Sequence, residues 1–238
     1  MRIWTHSQSR IVYPDMPYMV SRQNSPEWAQ SSFSSLFRIT SLEDGFRYKV
    51  RLVAKDYAQK DGVDFNEVFS PVVQHTSNRI LLVMATVYGM ELKQLDVKTA
   101  FLHGDLEEEI YMHQPEGFLI EGKEGHVCKL KKSLYGLKQS PRQWYKRFHQ
   151  FMTSIVFKRS LQDQCIYFKV FNNGSRIYLL LYVDGMLITS KNKEVKILKL
   201  QLIQEFEMKD LGAAKKILGM EIINDRRRRE VSLKNNTS

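Results

Sequence analysis

Hydrophobic and polar residues alternate in two rhythms along this chain. From Leu36, "LFRITSLEDGFRYKVRLVAKDYAQ" carries two runs of strand-like alternation joined by Glu43-Asp44-Gly45, a glycine-containing connection that predicts a hairpin. The spacing then lengthens to that of a helix in "HTSNRILLVMATVYGM". Thr76 or Ser77 is placed to cap it, Ile80, Met84 and Val87 form one stripe, and Gly89 stops it. "ELKQLDVKTAFL" reads as a strand running into a turn, and "LHGDLEEEIYM" as a hairpin. The clearest helix is "QSPRQWYKRFHQFMTSIVF", with Ser140 as cap and Pro141 in the first helical position. Trp144, Phe148, Phe151, Met152 and Ile155 then recur at helical intervals, which marks them as core.

"CIYFKVFNNGSRIYLLLYVDGMLITS" predicts three strands joined at Asn173-Gly174 and Asp184-Gly185, both strong hairpin dipeptides. A last amphipathic helix carries Val195, Leu198, Leu202 and Phe206 before Gly212, and "KKILGMEIINDRRRREVSLK" predicts a strand, a turn of arginines and another strand. Helices alternating with antiparallel hairpins give an α+β fold, with helices packed on one face of an antiparallel sheet. Residues 1–35 hold eight serines, scattered prolines and no sustained periodicity, so they are expected to lack order.

Charge adds a bias toward a polyanionic partner: 36 Lys and Arg face 26 Asp and Glu, a formal net charge of +10. Cys128 and Cys165 are far apart and form no C-x-x-C pair, which argues against a disulfide framework or a zinc site and fits an intracellular compartment. No apolar run reaches the roughly 18 residues of a membrane span, so no membrane partner is expected. Glycines in the spacing of a dinucleotide or phosphate loop, HExxH and a nucleophile elbow do not occur.

Several polar groups remain as candidates. Asp96 ends an apolar strand and reads either as a turn-capping acid or as a site carboxylate. Asp184 reads either as part of an Asp-Gly corner or as a metal ligand. Together the two could present carboxylates to magnesium, a hard cation that keeps positions open for substrate phosphates. Glu107, Glu108 and Glu109 read as a solvated turn, since three consecutive acids cannot all face one point. Arg47, Lys49, Arg51 and Lys55 sit on or near one hairpin, as edge-guarding charges or as a basic finger over phosphates. Arg226 to Arg229 read as a solvated turn or as a phosphate grip.

Five blocks, in order, carry a resemblance: "YKVRLVAKDYAQKDGVDFNEVFSPVV", "QLDVKTAFLHGDLEEEIYMHQPEGF", "VCKLKKSLYGLKQSPRQWYKRF", "LLLYVDGMLI" and "FEMKDLGAAKKILGMEI". Together they resemble the reverse transcriptase domain of copia-type LTR retrotransposons, over residues 36–225. The resemblance implies a right-hand polymerase with fingers and palm, and residues 226–238, which follow it, read as a basic tail. It implies two Mg²⁺ ions, with Mn²⁺ as an alternative, held by Asp96 and Asp184 with the backbone of Val97 close by. The expected partners are an RNA or DNA template with its primer and deoxynucleoside triphosphates.

By the same resemblance Phe101 lies beneath the incoming sugar and excludes a ribose 2′-hydroxyl, flanked by Thr99 and Ala100. Tyr135 and Gly136 line the nucleotide pocket, and Lys49, Arg51 and Lys55 lie near the triphosphate. Lys138, Ser140, Pro141, Arg142, Tyr182 and Val183 fall on the template and primer side. The expected location is that of the parent element: cytoplasm, virus-like particle or nucleus.

The chain departs from the family where the turn Tyr-x-Asp-Asp reads Tyr182-Val183-Asp184-Gly185, and where Asp56 replaces a glycine. The hairpin is expected to survive, because glycine tolerates positive φ. Activity is expected to fall on the order of 10²-fold or more, since even an outer partner of a metal site is worth about 10–100-fold. The sequence ends soon after the arginines, which suggests a domain truncated within its thumb.

Overall fold

The computed structural model describes residues 18–21, 35–41, 48–55, 57, 59–115, 118–217, 220–225 and 230–235. The chain begins with strands β1 (Tyr18–Ser21), β2 (Ser35–Ser41) and β3 (Tyr48–Ala54), followed by helix α1 (His75–Val87). Strand β4 (Glu91–Val97) runs into a 3-10 turn at Ala100–His103, and β5 (Tyr111–His113) and β6 (His126–Lys129) precede helix α2 (Ser140–Ser154). Strands β7 (Lys158–Arg159), β8 (Ile166–Val170), β9 (Arg176–Tyr182) and β10 (Gly185–Ser190) lead to helix α3 (Asn192–Glu205). Strands β11 (Met208–Ala213), β12 (Lys216–Ile217), β13 (Met220–Asp225) and β14 (Glu230–Asn235) follow.

Among the described residues the largest sheet is antiparallel and six-stranded, in the order β11-β4-β10-β9-β8-β7. Its central strand β10 buries Met186, Leu187 and Ile188 in succession, so both faces must be covered. One face sets Leu95, Val97, Leu179, Leu181 and Met186 against Trp144, Phe148 and Met152 of α2 and Val195, Leu198 and Leu202 of α3. The other sets Leu92, Leu180 and Leu187 against Leu81, Leu82 and Ala85 of α1, together with Ile217 and Ile222. The expectation of helices on one face is therefore corrected: α2 and α3 share a face, and α1 packs on the other.

Three local expectations also change. In α1 the buried residues are Asn78, Leu81, Leu82 and Ala85, whereas Ile80 and Val87 are exposed, so the stripe lies one position round the helix. The segment "LHGDLEEEIYM" forms no hairpin of its own, because β5 pairs with β6 instead. The helix caps shift as well. Gln74 and Gln139 precede α1 and α2 without a side-chain cap, and the Ser140 hydroxyl donates to the Leu134 carbonyl.

Strands β2 and β3 pair antiparallel as expected, with Glu43-Asp44-Gly45 between them outside the described residues, and the strands on either side of Asn173-Gly174 pair as well. Strands β13 and β14 also pair, while Arg226 to Arg229 between them lie outside the described residues. Within the segment expected to lack order, Tyr18–Ser21 is a strand antiparallel to β6, and residues 1–17 and 22–34 lie outside the described residues, as do Arg47 and Asp56. Cys128 and Cys165 are buried free thiols, and burial together with the neighbouring Asp163 pushes Cys165 up to about 12. Among the described residues no helix is long and apolar enough to cross a membrane.

Candidate active site

Asp96 is the penultimate residue of β4, opposite Gly185 of β10 on one side and Lys209 of β11 on the other. Directly paired residues share a sheet face, with Cβ atoms about 5 Å apart. Asp96 therefore stands on the face away from α2 and α3, between a position with no side chain and a lysine.

The β9–β10 connection has two residues, Val183 and Asp184, and Gly185 is already the first residue of β10, paired with Tyr182. Positive φ falls on Val183, at +57°. A β-branched residue adopts that region only under strain, held by its surroundings. The expectation that glycine at 185 serves a positive-φ turn is thus corrected: the backbone there is that of a strand. A Cβ added at Gly185 would meet only the Tyr182 carbonyl, at 3.5 Å, so the turn does not require glycine.

Two bonds hold this turn. The Val97 N–H donates to the Asp184 carbonyl (2.9 Å), and the Trp144 indole N–H donates to the Val183 carbonyl (2.6 Å). Asp96, Asp184 and Gly185 line one open cavity of about 320 Å³, with Gln94, Tyr182, Lys216 and Ile217 around them. The two carboxylates expected to act together are therefore brought together. Among the described residues no three His, Cys, Asp or Glu side chains gather into a metal-binding group.

Tyr135 links this cavity to the basic hairpin. Its ring lies 5.0 Å from that of Phe101, and the Arg51 guanidinium sits 5.6 Å from its centroid. Burial raises the Tyr135 phenol above its ordinary pKa, and the charges of Asp184 and Asp96 push the same way against Arg51. Both carboxylates thus act on the residue that Arg51 covers.

The remaining candidates are placed as follows in the fold. Pro141, Tyr182, Val183 and Phe101 line a small apolar cavity of about 90 Å³ behind the turn. Val97 and Ala100 are buried in the core and Ser140 is fully buried and bonded to Ser133 and Leu134, so their side chains serve the scaffold, while Arg142, partly exposed, pairs with Glu67. Gly136, at φ +87°, lets the chain pass against Ala54, where an added Cβ would collide with the Ala54 carbonyl.

Thr99 is left-handed at φ +52° and its hydroxyl donates to the Lys98 carbonyl, while Lys138 lies 4.7 Å from the Phe65 ring centroid. Lys55 follows β3 half-buried, and Lys49 pairs with Thr40 through the strand backbone. The three glutamates are tied individually, Glu107 to Lys146, Glu108 to Gln139 and Glu109 to Lys129. The hydrogen bond from Lys146 holds the Glu107 carboxyl below its usual range.

Sequence reasoning missed Lys209, which the β4–β11 register sets opposite Asp96, Gln94 and Lys216, which line the cavity, and Trp144, which it read as core alone. The only signal for Trp144 was an indole, whose N–H needs a partner when buried.

The family described as "Reverse transcriptase (RNA-dependent DNA polymerase)" matches residues 37–238. The chain is 57% identical over 188 residues to the retrovirus-related Pol polyprotein from transposon TNT 1-94 of Nicotiana tabacum, covering 79% of this chain and 14% of that protein. It is 44% identical over 177 residues to the Pol polyprotein from transposon RE1 of Arabidopsis thaliana, covering 74% of this chain and 12% of that protein. The chain thus spans well under a fifth of the length of these relatives. Given that match, and the paired aspartates it helps to interpret, the chain belongs to the reverse transcriptase family, in the branch carried by the Pol polyproteins of copia-type retrotransposons.

Proposed function

We propose that the cavity between β4 and the β9–β10 turn is the nucleotidyl-transfer site of an RNA-directed DNA polymerase built as fingers and palm, and that glycine at position 185 lowers its activity. The observation that carries this reading is the convergence of Asp96 and Asp184 on one cavity, with Tyr135 in the field of both and Arg51 over Tyr135. Asp96 and Asp184 offer the hard oxygen donors that suit Mg²⁺ or Mn²⁺. Bound there, a pair of divalent ions would activate the primer 3′-hydroxyl and neutralise the triphosphate.

The protein's own part is positional. Strand β4 and the turn fix the two carboxylates, the Phe101–Tyr135 pair forms an aromatic floor for sugar and base, and Arg51 places positive charge where the triphosphate would lie. Such fixed charge accounts for much of the catalysis in phosphoryl transfer. Template and primer would run past Tyr182, Val183 and Pro141, in the intracellular compartment of the parent element.

Two carboxylates balance two dications poorly, and Lys209 and Lys216 add positive charge beside them. That observation favours a second reading, in which the fold and its basic surface bind nucleic acid without catalysis. Primer extension on an RNA template, with Mg²⁺ and then Mn²⁺, separates the two. The native chain is expected to extend on the order of 10²-fold more slowly than Gly185→Asp, with Asp96→Asn silent. Equal rates for the native chain and Gly185→Asp would remove the impairment claim, and silence of both would leave the binding-only reading.

A further inference from the structure

Trp144 crosses from α2 to the β9–β10 turn and donates its indole N–H to the Val183 carbonyl at 2.6 Å. We propose that Trp144 is a positioning residue for Asp184, pinning the catalytic turn to α2 through this one bond. The inference rests on the reading of Asp184 as a site carboxylate and names the residue that aims it.

Three features of the turn call for such a pin. Val183 holds φ +57°, a strained conformation for a β-branched residue, and its side chain is 49% exposed, so its own burial does little to hold it there. The next carbonyl, that of Asp184, accepts from Val97, the residue that directly follows Asp96. Two consecutive carbonyls are thus held from opposite sides, one by α2 and one by β4, which fixes the two peptide planes that flank the Asp184 Cα. The direction of the Asp184 Cα–Cβ bond follows from those two planes.

The donor is rigid as well. Trp144 is 1% exposed, set edge-on to Phe206 at 5.2 Å and tilted against Phe148 at 5.6 Å, so the ring cannot follow a turn that drifts. An indole offers a single donor and no acceptor. Removing that donor while keeping an aromatic ring is therefore a clean perturbation, and Trp144→Phe does so.

The experiment reads amide hydrogen exchange in the native chain and in Trp144→Phe. The Val97 amide reports the contact with Asp184, and the Leu181 amide, which donates to the Cys165 carbonyl just before β8 at 2.9 Å, is the internal reference. Loss of one buried hydrogen bond is expected to speed exchange at Val97 about tenfold, with Leu181 within about twofold. An unchanged Val97, or equal acceleration at both amides, would overturn the proposal, because the turn would then be held without Trp144 or the whole domain would be loosened.

In the Gly185→Asp background the same substitution is expected to lower turnover at saturating nucleotide about tenfold, with KM within about twofold, the signature of a loss felt in the transition state. A change confined to KM would count against a role in aiming Asp184. If Gly185→Asp extends no primer, the polymerase reading fails, and hydrogen exchange still decides whether Trp144 pins the turn.

Discussion

At Gly136 the main chain takes φ +87° while passing the end of β3, where Ala54 donates its N–H to the Tyr135 carbonyl at 2.7 Å. An added Cβ would collide with the Ala54 carbonyl and come within 2.8 Å of the Val53 side chain. The collision partner is backbone, so neither partner can rotate away. Gly136→Ala is therefore expected to cost about 2 kcal/mol or more, read as a lower urea midpoint at unchanged m-value. The same step would part β3 from Tyr135 and lift Arg51 off the ring. Gly185 stands in equally well-marked sequence and has the opposite meaning, since its backbone is extended and an added Cβ meets only ordinary contact. The letter G looks alike at both positions. What separates them is φ and the neighbouring chain, which depend on how β3 and β9 pack, and no local pattern carries that.

Among the elements, α2 was the most legible, because it has one apolar stripe and one charged face, which leaves a single way to pack, whereas α3 buries Val195, Leu198 and Leu202 but also leaves Ile197, Leu200 and Ile203 exposed. In α1 the run "ILLVMATV" is apolar on every side, so periodicity offers two stripes and cannot choose between them. Packing against Leu92, Leu180 and Leu187 makes the choice, burying Leu81, Leu82 and Ala85 and leaving Ile80 outside. Leu82→Ala is expected to cost ~2–5 kcal/mol, as for other buried leucines, while Ile80→Ala costs under ~1 kcal/mol. Chemical denaturation of the two variants side by side checks this, and equal losses would return the helix to its sequence-read face. One clue to the two-sided sheet was present in the sequence: "GMLITS" runs apolar through Met186, Leu187 and Ile188 without alternation, the mark of a strand covered on both faces.

For the whole molecule, the site assembles from residues that local sequence keeps apart. Asp96 and Asp184 each read as an ordinary turn acid on local pattern, and only the resemblance of five ordered blocks joined them. Pairing of β4 with β10 does so physically, β11 adds Lys209 through register and Lys216 lines the same cavity from a separate sheet, none of which hydrophobic spacing encodes. These two lysines bear on how the chain meets nucleic acid. Eight ion pairs among the described residues already set Asp or Glu against Lys or Arg, while the chain as a whole carries 36 cations for 26 acids. Binding of a primer–template duplex should therefore be dominated by release of counterions from the phosphates. If about five phosphates are neutralised, affinity should fall roughly 500-fold between 50 and 200 mM salt, a log–log slope near −4.5. Fluorescence anisotropy across a salt series measures that slope for the native chain and for Lys216→Ala and Arg51→Ala. Each substitution is expected to flatten the slope by about 0.9, the loss of one phosphate contact. Because this term needs no metal, it should persist in EDTA and in Asp96→Asn. Binding that ignores salt would mean that the net charge of +10 is spread over surfaces that do not face the duplex.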